Sequence, residues 1–198
     1  MHPSPLPLPH FGGGEGIREG KLLGGTRMLD LKSRIRDIPD FPKKGILFKD
    51  ITTLLKDELA FEKVVDKLTS FYEDEEIDKV VGIESRGFIF AAPLAYTLGA
   101  GFIPVRKPGK LPSDIFEAKY ELEYGTDTLT VHQDAITPGQ RVLVVDDLLA
   151  TGGTMAATLD LLKQLGANVV GVAFLIELAE LKGRDKLAGY PVISLITY

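Results

Sequence analysis

The chain contains no cysteine. Disulfides, thiolate metal centres and cysteine nucleophiles are therefore excluded. No apolar run approaches the roughly 18 residues that a membrane-crossing helix needs, so no membrane partner is expected. Positive charge is scarce: 23 Lys and Arg stand against 28 Asp and Glu, a formal net charge of -5. That balance argues against a surface built to coat nucleic acid. No His/Glu cluster has zinc-site spacing, and no internal repeat is visible. What remains is a chain of 198 residues, 44% hydrophobic and 26% charged, the balance of a soluble globular protein with one full-sized core and some sequence to spare. A mildly acidic protein that binds a polyanion must gather its cations locally or use backbone amides.

Residues 1–27 read differently from the rest. Pro3, Pro5, Pro7 and Pro9 alternate with other residues, and glycines cluster at 12–14 and 24–25. The segment has neither helical nor strand period, and it lacks the charged start and long apolar centre of a secretory signal. It is expected to be a disordered extension; a functional tail is the alternative. From Met28 onward the pattern alternates. Residues 29–38 suggest a short amphipathic helix ended by Pro39. Residues 54–72 have helical spacing at Leu55, Leu59, Val64, Val65, Leu68 and Phe71. Strands are expected at 79–83, 102–105, 141–145 and 169–176, and helices at 88–98 and 155–165, the last closed by Gly166. Residues 120–124 and 128–132 alternate around Gly125 and suggest a hairpin. Strand and helix alternation of this kind predicts an α/β fold with a mainly parallel central sheet flanked by helices.

The segment Val144-Val145-Asp146-Asp147-Leu148-Leu149-Ala150-Thr151-Gly152-Gly153-Thr154 carries the most chemistry. An apolar strand leads into two acids, then a loop with paired glycines, then a helix. Ligands of open parallel sheets bind beyond the carboxyl ends of strands. Glycines let the backbone come close to a ligand. Thr151 and Thr154 offer hydroxyl donors, and the amides and positive dipole of a helix start favour phosphate. The acids repel phosphate; they suit sugar hydroxyls or a magnesium shell. A phosphate cradle beside two hydroxyl-accepting acids describes a ribose phosphate. A capped helix beside solvated acids would show the same glycines. The segment is neither a dinucleotide fingerprint, since Gly-x-Gly-x-x-Gly is missing, nor a Walker loop, since no Gly-Lys-Ser/Thr follows.

This segment resembles the phosphoribosyl-pyrophosphate signature of the type I phosphoribosyltransferases. Asp40-Phe41-Pro42, the stretch from Gly45 to Ile51, Glu84-Ser85-Arg86-Gly87-Phe88, the stretch from Val105 to Pro112, and Leu122-Glu123-Tyr124-Gly125 occur around it in the order seen in the adenine-using branch. The resemblance spans nearly all of residues 28–198, which are expected to form one phosphoribosyltransferase domain. It implies the type I fold, with a small hood and a mobile lid. It also implies the substrates adenine and phosphoribosyl pyrophosphate, magnesium as cofactor, purine salvage in the cytoplasm, and a homodimer.

Site residues follow from the same resemblance. Asp146, Asp147, Ala150, Thr151, Gly152, Gly153 and Thr154 would bind the ribose phosphate, with magnesium held through substrate and water near the two acids. Arg86, with the backbone of Ser85 and Gly87, would hold pyrophosphate; arginine matches phosphate oxygens with paired hydrogen bonds. Arg106, Lys107 and Lys110 form a basic cluster at the start of the lid, and such lids exclude water. Glu123, beside Tyr124 on the hairpin, is the expected proton partner of the base. Ala150 stands where 6-oxopurine enzymes typically carry aspartate, which favours adenine. Leu47 would read the purine edge through its backbone, and Phe48 or a neighbouring apolar residue would pack on the ring. Lys49 stands where some relatives have arginine. The acidic run 73–76 reads as a solvated helix end, and His132 as structural or exposed. A xanthine or other purine phosphoribosyltransferase is the enzymatic rival. A ribose-phosphate sensor is the non-enzymatic one, but the extra sequence shows no basic helix for nucleic acid.

Deleting residues 1–27 should leave melting temperature and turnover unchanged. A drop of several degrees in a thermal melt, or lost activity, would show that the segment packs or acts.

Overall fold

The computed structural model describes residues 29–121 and 126–198. Its centre is a five-stranded sheet, every neighbouring pair of which is parallel. In chain order the first two strands of the molecule, β1 (Arg36–Pro39) and β2 (Leu47–Asp50), form a separate antiparallel pair, the hood. The central sheet is built from β3 (Lys79–Ile83), β4 (Gly101–Val105), β7 (Arg141–Leu149), β8 (Asn168–Glu177) and β9 (Val192–Thr197), in the order β4-β3-β7-β8-β9. A second antiparallel pair joins β5 (Ile115–Glu121) to β6 (Thr126–His132). The main helices are α1 (Thr52–Leu55), α2 (Glu58–Ser70), α3 (Gly87–Thr97) and α4 (Gly153–Gln164).

Period-two alternation along the central strands divides the core into two. Leu143 and Val145 of β7, with Ala173 and Leu175 of β8, pack with Val64, Leu68, Phe90 and Leu94 from α2 and α3. Val142 and Val144, with Val172 and Phe174, pack with Met155, Leu159 and Leu162 of α4. Successive side chains of a strand point to opposite faces, so a strand covered on both sides reads as an unbroken apolar run. That is why β3, β7 and β8 were visible as continuous hydrophobic segments.

The order of strands places the site. The chain leaves β3 through α3 to reach β4 on one side, and leaves β7 through α4 to reach β8 on the other. The two connections diverge between β3 and β7, which is where a crevice forms in an open parallel sheet. Pairing of β3 with β7 ends at Gly82 opposite Val145, whereas β7 continues along β8 as far as Leu149 opposite Glu177. Past Val145 one edge of β7 therefore faces the crevice. Asp146 and Asp147, expected where the apolar strand ends, lie inside a strand that runs on to Leu149; the ladder with β8 carries it onward.

Other expectations are corrected. Residues 29–38 form no α-helix: a single 3-10 turn at Lys32–Arg34 is followed by β1. A ten-residue segment has little helical stability of its own, and pairing of Ile38 opposite Phe48, with Arg36 forked onto Asp50 at 3.0 and 2.5 Å, supplies a competing structure. The helix expected over 54–72 is broken in two. Asp57 takes an extended conformation and its side chain accepts a hydrogen bond from the Ala60 amide at 3.1 Å, capping α2. The break shifts the helical phase, so Leu54 and Ala60 are buried while Leu59 and Phe71 are 62% and 52% exposed. Strand β9 was not anticipated. An antiparallel pair stands where the hairpin was expected, but its first strand is Ile115–Glu121, and residues 122–125 lie outside the described ones; the described part is no free flap, since Leu129 and Val131 are fully buried and Arg106 bridges to Thr130.

Candidate active site

The crevice between β3 and β7 holds a cavity of about 350 Å³, lined by Glu84, Ser85, Arg86, Lys107, Tyr120, Asp146, Asp147, Ala150 and Thr154, among others. Two strand ends thus deliver the expected groups to one place: the 84–87 loop after β3 and the acids and 150–154 loop of β7. Ser85 lines the cavity wall. The peptide between Glu84 and Ser85 is cis. Gly87 opens α3 where a Cβ would lie 2.9 Å from both the Asp146 Oδ1 and the Val145 carbonyl oxygen. No side chain fits there, so the glycine lets the start of α3 rest on β7.

Asp147 is 5% exposed and Asp146 half-buried. Asp146 Oδ1 accepts the Asp147 amide at 2.9 Å. Arg86 Nε stands 3.0 Å from Asp147 Oδ2, yet that oxygen is buried and accepts no hydrogen bond among the described residues. The guanidinium is in charge contact but off the line of a hydrogen bond, so a lone-pair direction remains for a ligand donor. Burial pushes the Asp146 carboxyl well above the usual carboxylate range, and the Asp147 charge adds to this. Asp147 is raised too, by burial first, with Arg86 opposing.

Beyond the acids the chain turns into the cradle. Ala150, Thr151, Gly152, Gly153 and Thr154 surround a recess of about 60 Å³ next to Asp146. Gly152 has φ of +78° and precedes the first turn of α4, which no side chain caps. The early amides of that 12-residue helix are thus free to meet an anion.

The basic cluster is placed differently from a display of free cations. Arg106 Nε pairs with Glu84 Oε2 at 3.2 Å, and the Lys107 amide donates to the same oxygen at 2.9 Å. Burial works to raise the Glu84 carboxyl, but these two donors and the Arg106 charge bring it below its usual range. Lys107 Nζ pairs with Asp127 and donates to the Tyr120 hydroxyl at 3.3 Å. Lys110 is exposed, and its carbonyl accepts from Arg106 Nη1 at 3.3 Å. Glu84 and Asp127 as partners of the basic cluster were not read from the sequence, because contacts 22 and 20 residues apart leave no local signal.

A second, more apolar cavity of about 320 Å³ lies under the hood, lined by Ile38, Phe41, Phe48, Asp50, Ile51, Thr52 and Arg86. Phe41 and Phe48 meet edge to face at 5.1 Å, and the Arg86 guanidinium sits 5.3 Å from the Phe48 ring centre. Arg86 is therefore a wall common to both cavities. Asp50 is held by Arg36 first, and by the Thr52 amide at 2.9 Å, which lowers its carboxyl to about 2. Of the three expected base-binding residues, Phe48 lines this cavity and Leu47 is 49% exposed on the neighbouring backbone. Lys49 is turned away: its ammonium bonds Asp37 at 2.8 Å and lies 3.8 Å from the Tyr198 ring centre. Glu123 and Tyr124 lie outside the described residues.

No cluster of three His, Asp or Glu among the described residues could hold a metal by itself. The adjacent carboxylates, one with an open acceptor, fit a divalent cation that arrives on a substrate and shares its water shell with them.

Because burial raises both carboxyls, their ionisation opposes folding. A raised acid contributes stability below its unfolded value, near 3.8, and that contribution is lost as pH climbs through the folded value. Asp146→Asn keeps an oxygen for the Asp147 amide and removes the charge. It should raise the melting temperature at pH 7, with the gain shrinking below about pH 4, the ordinary carboxylate range. Equal melting temperatures at pH 7 would contradict this.

Comparison with known proteins agrees with this geometry. Residues 52–195 match the phosphoribosyl transferase domain family. The adenine phosphoribosyltransferase of Clostridium perfringens is 61% identical over 170 residues, 86% of this chain and 99% of the relative. That of Acaryochloris marina is 63% identical over 86% of this chain and 100% of the relative. The crystal structure of the Thermoanaerobacter pseudethanolicus enzyme superposes with a TM-score of 0.83 at 56% identity, covering 85% of this chain and 98% of that one. The Saccharomyces cerevisiae enzyme, solved with adenine and an imino-altritol bisphosphate, gives 0.79 at 44% identity over 83% and 96% of the two chains. The chain belongs to the adenine phosphoribosyltransferases, within the phosphoribosyl transferase domain family.

Proposed function

We propose that this chain converts adenine and phosphoribosyl pyrophosphate to AMP and pyrophosphate, in purine salvage. The observation that carries the reading is the juxtaposition, at the end of β7, of two adjacent carboxylates, Asp147 buried and Asp146 half-buried, and an uncapped glycine loop. One part accepts hydroxyls and the other receives an anion, as a ribose phosphate requires. The names of relatives at about 60% identity support the base.

In this reading Asp146 and Asp147 accept the ribose hydroxyls, and the amides and hydroxyls of residues 150–154 hold the 5′-phosphate. Arg86, with the backbone of Ser85 and Gly87, grips the diphosphate. Magnesium, carried by the substrate near Asp146 and Asp147, would neutralise the leaving diphosphate. Arg106, Lys107 and Lys110 stand beside that path and exchange Glu84 and Asp127 for phosphate oxygens. Phe48 packs on the purine, the Leu47 backbone reads its edge, and Lys49 acts at a distance by fixing the strand that carries them. As the bond from the ribose C1 to diphosphate oxygen breaks and the bond to purine nitrogen forms, the proton released from the base passes to Glu123, with Tyr124 beside it. The small Ala150 leaves base choice to the hood. Catalysis then rests on positioning and electrostatics. Residues 28–198 act as one domain with 1–27 as an extension, and the protein works as a cytoplasmic homodimer.

A spectrophotometric assay with phosphoribosyl pyrophosphate should show turnover of adenine far above hypoxanthine and guanine, and only with a divalent metal present. Comparable rates for the three bases would refute the substrate. Glu123→Gln should keep substrate binding but lower turnover by about 10²–10⁴-fold, as loss of a general acid–base group does, with Glu123→Asp partly active. Wild-type turnover of Glu123→Gln at saturating substrates would move the proton elsewhere.

A further inference from the structure

Behind the phosphate loop lies a segment with no role so far. After β8 the chain makes a 3-10 turn at Ala179–Leu181 and a second at Gly183–Leu187 before reaching β9. Lys182, between the two turns, takes a left-handed φ of +52°. This brings Gly183 into direct backbone contact with the loop. A Cβ on Gly183 would lie 2.3 Å from the Ala150 carbonyl oxygen, and a Cβ on Gly152 would lie 2.4 Å from the Gly183 carbonyl oxygen. Two glycines from segments 31 positions apart in number (152 and 183) thus press together with no room for a side chain on either.

The residue next to Gly183 fixes this contact. Arg184 donates from Nε to Glu177 Oε1 at 2.6 Å and from Nη2 to Oε2 at 2.7 Å. It also donates from Nη1 to the Val192 carbonyl at 3.0 Å, and its Nη2 lies 3.3 Å from the Ser194 hydroxyl. Glu177 is buried, ends β8 and sits opposite Leu149, the residue that leads into the loop. The Arg184 hydrogen bonds, above all, hold the Glu177 carboxyl below its usual range. A two-pronged guanidinium–carboxylate pair fixes orientation as well as distance. One side chain thereby ties the Gly183 turn to both strands at the edge of the sheet.

We propose that Arg184 is a positioning residue for the phosphate loop: its fork on Glu177 holds the Gly183 backbone against Ala150 and Gly152, and so fixes the shape in which the loop receives the 5′-phosphate. The inference rests on the reading above, in which residues 150–154 take that phosphate. Arg184 itself does not reach the cavity lining, so it acts only through the turn.

AMP and adenosine differ only by the phosphate, so calorimetric titration of the full chain with each isolates the loop. Wild type should bind AMP much more tightly than adenosine. If it does not, the phosphate assignment itself fails, in wild type alone, and the proposal falls with it. Given that preference, Arg184→Gln should weaken AMP binding between about ten- and a hundredfold, the scale of a hydrogen bond to a charged group lost at the phosphate, while adenosine affinity stays unchanged. In the assay, KM for phosphoribosyl pyrophosphate should rise with KM for adenine unaltered. Arg184→Lys keeps the charge without the fork and should fall between, and it serves should Arg184→Gln not fold. Gly183→Ala, which disturbs the same contact directly, should show the same split. Equal losses for AMP and adenosine, or unchanged AMP binding in these variants, would overturn the proposal.

Discussion

Two neighbouring carboxylates, one buried and one half-buried, are the constraint around which the site is arranged. Charges beside one another in a low-dielectric setting raise each other's energy, and the groups around Asp146 and Asp147 relieve them in part. The Arg86 charge stands 3.0 Å from Asp147. The Asp147 amide donates to Asp146. The strand holding both is locked to β8 as far as Leu149. Each of these imposes something elsewhere. Arg86 must begin just after β3, so the loop after that strand is short. Gly87 must lack a side chain for α3 to come so close. The relief is incomplete, because Asp147 Oδ2 still accepts no hydrogen bond among the described residues. A buried acceptor left without a donor costs stability, and a ligand hydroxyl placed there recovers it.

The cations obey the complementary rule. In a chain with net charge -5, Lys107 stands in the crevice wall with Arg106 next to it in sequence, and Asp127 and Glu84 stand against them. Both lysine and aspartate are stabilised in their charged forms by this pairing, although burial of Lys107 and of Asp127 works the other way. In the proposed reading the diphosphate would compete with these carboxylates for the same donors. It would carry more charge than either, and until it arrives the protein meets these cations with partners of its own.

The parts of this architecture that show in the sequence are those whose cause is local. Continuous apolar runs marked β3, β7 and β8, because burial on both faces removes the polar alternation. The glycines at 152 and 153 marked the turn into α4, because a φ of +78° favours glycine at 152. Long-range causes were not visible. Ile38 belongs to a strand only because Phe48 lies opposite it; alone, the 29–38 segment has helical spacing. Leu59 and Phe71 match a helical stripe until Asp57 interrupts the helix and shifts its phase. At the site, Asp146, Asp147, Arg86 and the 150–154 loop were legible as strand-end chemistry. The tight fit of Gly183 against that loop was not, since a glycine in a Lys-Gly-Arg stretch looks like any turn.

Lys49 shows how a residue beside the hood cavity can matter without facing it. Side chains alternate along a strand, so aiming Phe48 into the aromatic cavity necessarily sends Lys49 to the other side of the hood. There its side chain is 8% exposed, its ammonium bonded to Asp37 on β1 and set over the Tyr198 ring just beyond β9. Lys32 approaches the same ring from 4.1 Å and also donates to the Thr197 carbonyl at 2.8 Å. An ammonium over an aromatic face is attracted by the ring quadrupole, more so as water is removed. The hood is a four-residue pair of strands with no sheet of its own to rest on, and a lone hairpin is marginal in water. These contacts join it to the far edge of the central sheet. Placement of Phe48 against Arg86 thus depends on a cation and a tyrosine on the opposite side of the strand, and a guanidinium in place of Lys49 could keep the same stacking and the same acid.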